Sequence, residues 1–260
     1  MDPDEDRYRA PALDKGLDIL ELLAEIDGGL TQAEIAKRLG RSPNEFYRML
    51  DRLVRRGYVT RLEGDRYSLT LKLFGLAQLH LPVRRLVSYA TPFMRELAEQ
   101  TRQANQLAVF DRGSVVVVAQ HEAPGYWGIS IRVGSHIGLY DTGSGHVLLA
   151  FRSQEERLMM IDEYSASGEE TKIEAEFFER LDQIRERGYE AMPSAQTAGV
   201  FNLSAPVLGP DGRAIAALTI PYIILVNASH APDMAQTERM LTRTSRQLSK
   251  LAGADFELPK

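Results

Sequence analysis

The chain has 260 residues, 44% of them apolar, a formal net charge of −5 and no cysteine. That length suits two compact domains, the acidity excludes a polycation that coats nucleic acid indiscriminately, and the missing thiols exclude disulfide frameworks, thiolate zinc sites and cysteine nucleophiles. A reducing, cytoplasmic setting and no membrane partner are expected: residues 1–9 lack the apolar core of a secretory signal, and the most apolar run, 214–226, is short and broken by Pro221.

Leu13, Leu17, Leu20 and Leu23 recur at helical spacing until Asp27-Gly28-Gly29, where glycine favours a stop. Thr31-Gln32-Ala33-Glu34 reads as a capping box, with Thr31 accepting a free backbone amide and Glu34 reaching back to the cap. The short helix that follows carries Ile35, Ala36 and Leu39 before Gly40 breaks it. Ser42, Pro43 and Glu45 then supply a second cap, a first-position proline and a second box. Two capped helices across a glycine-containing turn form a helix-turn-helix.

The third helix, 43–56, places Phe46, Leu50, Leu53 and Val54 on one stripe and Asn44, Tyr47, Arg48, Asp51, Arg52 and Arg55 on the other face. Residues 58–61 and 66–69 read as paired strands around Glu63-Gly64-Asp65, the wing of a winged helix. From Lys37 to Lys72 there are ten Lys/Arg against four acids, a local net of +6. Such a cluster gives affinity for duplex DNA by counterion release, whereas discrimination needs side chains at base edges. Asn44, Glu45, Tyr47 and Arg48 are the candidate base readers, and Arg61 and Arg66 candidate phosphate contacts. Thr31, Gln32, Arg41, Ser42 and Arg52 complete the candidate DNA-binding set. A helical domain with a solvated basic face, or a winged helix that binds protein, would share parts of this pattern; the agreement of helix-turn-helix, wing and charge favours DNA.

Apolar helical spacing continues through 71–80, and Pro82 interrupts it before a helix expected over 85–102. Beyond, 106–110 and 114–120 read as a hairpin around Asp111-Arg112-Gly113, with a third strand expected at 129–133. Helices are expected at 143–151, 155–164 and 173–187, strands at 203–207 and 214–221, and a last helix at 234–251. The fold class is α+β: a winged helix-turn-helix over 1–70, linker helices over 71–102, and an α+β domain with an antiparallel sheet over 103–260.

The run 12–21 (ALDKGLDILE), the capped helix-turn-helix, Asp141-Thr142-Gly143-Ser144-Gly145-His146, Arg187-Gly188-Tyr189, Ala198-Gly199-Val200 and Leu203-Ser204-Ala205-Pro206-Val207 together resemble the IclR family of transcriptional regulators along almost the whole chain. The resemblance implies a GAF-like effector domain, assembly as dimers or tetramers, and operator affinity altered by a metabolite. It points to Gly143, Ser144, Met192, Val200, Asn202, Thr219 and Pro221 as effector-pocket residues, although Asn202 and Pro221 stand where the family usually has small thiol or hydroxyl side chains. From physics alone, amides at the start of the helix opened by Gly143-Ser144-Gly145 can receive a carboxylate, with Tyr126, Trp127 and Tyr222 available as apolar walls. Equally, the glycines could serve only a tight turn and the aromatics only packing.

Signals for catalysis are thin. Asp141-Thr142-Gly143 is a lone copy of a motif whose protease chemistry needs two carboxylates. Ser144 and His146 lack a recognisable orienting acid and oxyanion hole, and the five histidines have no metal-ligand spacing. Neither cofactor nor metal is called for. The expected function is a ligand-responsive regulator that binds a palindromic operator as a dimer or tetramer and senses a small acidic or aromatic metabolite. The alternative is a small-molecule-modifying enzyme with an accessory helical domain.

Overall fold

The computed structural model describes residues 10–79, 81–125, 128–166, 175–225 and 231–254. The chain divides into two compact units at Leu81 and Pro82.

In the first unit α1 (Pro11–Ala24), α2 (Gln32–Arg38) and α3 (Pro43–Arg55) enclose Ile19, Leu23, Ile35, Phe46, Leu50 and Val59. Local chemistry sets each start. Thr31 accepts the Glu34 amide while its own amide donates to the Glu34 carboxylate at 2.8 Å. At α3 the amide and hydroxyl of Ser42 both donate to Glu45 Oε1, at 3.2 and 3.0 Å. β2 (Val59–Leu62) and β3 (Arg66–Leu69) pair antiparallel around a single 3-10 turn in which Gly64 has φ +71°. A two-residue strand that the sequence pattern does not show, β1 (Leu30–Thr31), joins the other edge of β3. It can do so because Gly29, at φ +71°, lies where a Cβ would stand 2.5 Å from the Tyr67 carbonyl oxygen. α4 (Lys72–Gln78) closes the unit.

The second unit opens with α5 (Leu81–Thr101), which begins earlier than the expected Arg85. Pro82 sits in its first turn, where a missing N–H costs no helical bond. Among the described residues six strands follow: β4 (Asn105–Asp111), β5 (Ser114–His121), β6 (His136–Ile137), β7 (Glu190–Pro193), β8 (Phe201–Leu208) and β9 (Ala214–Tyr222). They form one antiparallel sheet in the order β6-β5-β4-β9-β8-β7. α5 and α9 (Met234–Leu251) cover one face over Leu107, Leu203 and Leu218. α6 (Gly143–Ala150), α7 (Gln154–Ala166) and α8 (Ala175–Arg187) cover the other over Val117, Ala217 and Leu208. Among the described residues no helix is long and apolar enough to cross a membrane.

Two details of the sheet depart from simple alternation. Residues 129–133 are not a strand; the short β6 takes that edge, pairing with Val115 and Val116. The amide and carbonyl of Val117 are committed to Ser135 and Gly134, so the alternating Ile129-Ser130-Ile131 has no ladder to join. The β4–β5 register also shifts between Leu107 and Ala108, whose partners are Ala119 and Val117. β5 therefore carries one extra residue, Val118, at a bulge.

On the α6 face a row of directly opposed polar residues crosses the sheet: Gln120, Gln106, Thr219, Ser204 and Glu190. Glu190, only 1% exposed, anchors one end. Its carboxylate accepts from Arg180 at 2.8 Å, Arg187 at 3.1 Å and the Ala191 amide at 2.8 Å, and meets His146 Nδ1 at 3.1 Å. The other ring nitrogen of His146 faces the Tyr140 carbonyl at 2.6 Å. Burial pushes the Glu190 carboxyl up, but the hydrogen bonds and charges of His146 and Arg180 outweigh it and hold the group at about 2.

A carboxyl depressed in the fold stabilises it above the unfolded value and loses that contribution as pH falls towards the folded one. Urea melts are expected to show wild-type stability falling by about 3 kcal/mol from this group between roughly pH 5 and pH 2. Glu190→Gln should be less stable at pH 7 and lack that part of the acid slope; parallel pH profiles for the two proteins would contradict the assignment.

Candidate functional site

The first unit presents a polar surface along α3. Asn44, Tyr47, Arg48 and Arg52 are exposed, and Tyr47, at 61% exposure, is an unusually open aromatic for a helix whose opposite side is core. Among the described residues Arg48 and Arg52 are in no ion pair. Several other candidates hold the scaffold together. Glu45 is tied to Ser42 and to Lys15 at 3.0 Å, with Arg41 at 3.8 Å; the Lys15 and Ser42 hydrogen bonds hold its carboxyl at about 2. Thr31 caps α2, and Gln32 donates to the Pro43 carbonyl at 2.8 Å. Arg66 donates to the carbonyls of Gly28 and Gly29 and lies 3.4 Å from Glu34. Arg61 pairs with Asp65 at 2.6 Å across the wing turn and stays exposed.

In the second unit a cavity of about 420 Å³ lies beside the start of α6. Gly143, Ser144, Val200, Asn202, Thr219 and Pro221 line it. Strand register explains the gathering: Asn202 is opposed to Pro221 and Ser204 to Thr219, on successive same-face positions of β8 and β9, so residues far apart in the chain share one wall. Met192, opposed to Asn202 on β7, is buried on the same rung but does not line the cavity. Tyr126 and Trp127 lie outside the described residues. Tyr222 is buried in the cluster on the opposite face, with α5 and α9.

The start of α6 is built for close approach. Neither Gly143 nor Gly145 is among the positive-φ residues, so neither is needed for a turn. A Cβ on Gly143 would stand 2.5 Å from Ser204 Oγ, and one on Gly145 only 2.1 Å from the Leu139 carbonyl oxygen. The Thr142 hydroxyl accepts the Gly145 amide at 3.1 Å, and the helical ladder begins with the His146 amide on the Thr142 carbonyl. Helix geometry thus leaves the amides of Gly143 and Ser144 without partners inside α6. The Ser144 hydroxyl bonds Thr219 Oγ1 at 2.8 Å, which donates on to Ser204 Oγ at 2.8 Å.

Sequence reading missed Gln106, His136 and the rim residues Ser194, Gln196 and Thr197, all of which line the cavity. Gln196 donates to Asp141 at 2.7 Å, tying the rim to the approach to α6. The available signal for Gln106 was a carboxamide placed two positions before Ala108 on the core-facing side of an otherwise apolar strand. The rim carried no signal, because its members come together only through the sheet.

The family model described as IclR helix-turn-helix domain matches residues 12–63, and that described as bacterial transcriptional regulator IclR C-terminal matches residues 78–250. The HTH-type transcriptional regulator KdgR of Escherichia coli (strain K12) is 34% identical over 209 residues, 78% of this chain and 79% of that protein. The crystal structure of Pseudomonas aeruginosa HmgR has a TM-score of 0.73 at 26% identity, covering 94% of this chain and all of that one. An IclR homolog from Microbacterium hydrocarbonoxydans, crystallised with 4-hydroxybenzoate, has a TM-score of 0.74 at 21% identity over 93% of this chain and 98% of its own. The matched models and the KdgR relative are transcriptional regulators, not enzymes.

The two glycines should respond differently to alanine. Gly145→Ala drives a methyl group into a backbone carbonyl and is expected to cost about 3 kcal/mol or more, whereas Gly143→Ala meets a rotatable hydroxyl and should cost about 1 kcal/mol. Equal losses in denaturant melts would show that close approach does not distinguish the two positions.

Proposed function

The chain belongs to the IclR family of bacterial transcriptional regulators, DNA-binding proteins with an effector-binding domain, and from that premise we propose how its two units are used. A dimer sets two copies of α3 into successive major grooves of a palindromic operator. Asn44, Tyr47 and Arg48 meet base edges; Arg41, Arg52 and Arg61 neutralise phosphates. Arg66, Glu45, Thr31 and Gln32 hold that surface in shape. The observation that carries the reading is the uncommitted polar face of α3, flanked by a wing, on two helices fixed by reciprocal caps.

The partner in the dimer is a second copy of this chain. What supports it is an apolar groove of about 640 Å³ lined by Leu13, Leu17 and Leu20 of α1, Met49 and Leu53 of α3, and Leu73 and Leu76 of α4. Leu13 is 60% and Leu17 45% exposed, and exposed apolar surface of this extent marks an association site. The cavity beside α6 receives the effector, a small acidic or aromatic metabolite whose carboxylate meets the amides of Gly143 and Ser144. The ligand alters operator affinity only through a difference in its affinity for two arrangements of the protein. The whole cycle takes place in the cytoplasm, with the chromosome.

Fluorescence anisotropy with an operator duplex tests the DNA surface. Arg48→Ala is expected to lose about 1–3 kcal/mol of discrimination between operator and random duplex. Arg61→Ala should instead weaken both alike and lower the salt slope by about one. Leu17→Asp is expected to shift the assembly to smaller species in sedimentation velocity, and an unchanged sedimentation profile would remove α1 from the interface.

A further inference from the structure

Three members of the polar row on the α6 face, Thr219, Ser204 and Glu190, have hydrogen-bond partners. Ser144, Thr219 and Ser204 form a chain, and Glu190 is surrounded by donors. Gln106 is different. It is 3% exposed, it lines the cavity, and its Oε1 is buried with no hydrogen-bond partner among the described residues. A buried acceptor is costly to leave unpaired, so this atom marks where a donor from a bound molecule belongs. Its register partner Thr219 is bonded to Ser144, so Gln106 stands about one strand spacing, roughly 5 Å, beyond the residue that touches the start of α6. That is the reach from a carboxylate to a hydroxyl a few bonds along a short chain.

No Lys, Arg, Asp or Glu is among the described residues that line the cavity. The amides of Gly143 and Ser144 suit one carboxylate, whereas a second anionic group would find no fixed counter-charge there, only the imidazole of His136, which is bonded to Ser114. Polar groups come from separate walls: Gln106 and Thr219 on β4 and β9, Asn202 on β8, Ser130 and Thr197 at the rim. Ile129, Ile131, Ile137, Val200 and Pro221 supply apolar surface between these groups; hydroxyls at more than one position of a short chain can meet polar groups on separate walls, whereas a ring that carries one hydroxyl meets one.

We propose that the cavity selects an aliphatic hydroxy-monocarboxylate and that Gln106 accepts a hydrogen bond from one of its hydroxyls. This rests on the effector-cavity reading above. One competing use of Gln106 exists within the protein, because Gln120 directly opposite has a buried Nε2 without a partner among the described residues.

Calorimetric titration and thermal shift of the full-length chain test the proposal with glycerate, threonate and gluconate, against hexanoate, 4-hydroxybenzoate, malate and 6-phosphogluconate. At least one of the first three is expected to bind at about 1 mM or better, with hexanoate at least about tenfold weaker. Gln106→Leu should weaken that ligand by about tenfold or more while leaving the ligand-free melting temperature unchanged or higher, a combination that a merely structural glutamine would not produce. Gln120→Leu should leave the affinity unchanged, and a loss there equal to that of Gln106→Leu would mean the two glutamines serve each other. Tighter binding of 4-hydroxybenzoate, malate or 6-phosphogluconate, or no binding by any of the first three, overturns the ligand class. If whichever acid binds is indifferent to Asn202→Phe, which fills the cavity, in protein whose melting shows it folded, the site lies elsewhere and the effector-cavity reading falls too.

Discussion

A helix buried along its whole length must find partners for the backbone groups at both of its ends, because no water is there to supply them. Every residue of α6 is buried, and the second unit is arranged around meeting that demand. At its C-terminal end Arg157, itself 7% exposed, donates to the carbonyls of Leu149 and Ala150 at 3.0 and 2.9 Å and pairs outward with Asp182. At the N-terminal end Thr142 takes one amide, and two glycines let the first turn press onto the sheet and the Leu139 carbonyl. The residues whose amides are left over, Gly143 and Ser144, line the cavity. A structural requirement of the helix thus creates the polar end of the proposed effector cavity.

The first unit divides its charges between holding and reaching. Ten basic side chains crowd the segment from Lys37 to Lys72, yet the formal excess overstates what faces outward. Arg66 braces the Gly28-Gly29 turn, Arg55 pairs with Asp51 at 2.8 Å, and Lys72 donates to the Arg56 carbonyl while sitting over the Tyr58 ring. Arg48 and Arg52 carry no such commitment among the described residues. They also border the apolar groove between α1 and α3, so the side chains best placed for nucleic acid lie beside the surface best placed for a second copy.

The first unit was legible in the sequence because its determinants are local: two capping boxes, a proline at a helix start, glycines at turns and a strict apolar stripe. The second was legible in its helices and four longer strands, but β6 and β7 were not anticipated and 129–133 is not a strand. Residues 129–133 alternate like a strand, but strand formation depends on whether a neighbour has free backbone groups, and Val117 had already spent its own. β1 is two residues long, below any periodic signal. For the cavity, family resemblance led to β8, β9 and the α6 start. Gln106 escaped because its importance lies in a missing partner, which only the packed sheet reveals. Glu190 escaped likewise: it follows the Arg187-Gly188-Tyr189 element in sequence, but the donors Arg180 and His146 reach it from two different helices.

The bulge in β5 has a bearing on how this chain can change over generations. Val115 to Val118 are four identical side chains in a row, and such a tract looks indifferent to losing or gaining a member. It is not, because Val118 is the extra residue that lets both Val117 and Gln120 point to the α6 side. Deleting one valine would restore plain alternation and turn one end of the strand inside out, so a homopolymer stretch that tolerates exchange of its letters forbids any alteration in their number.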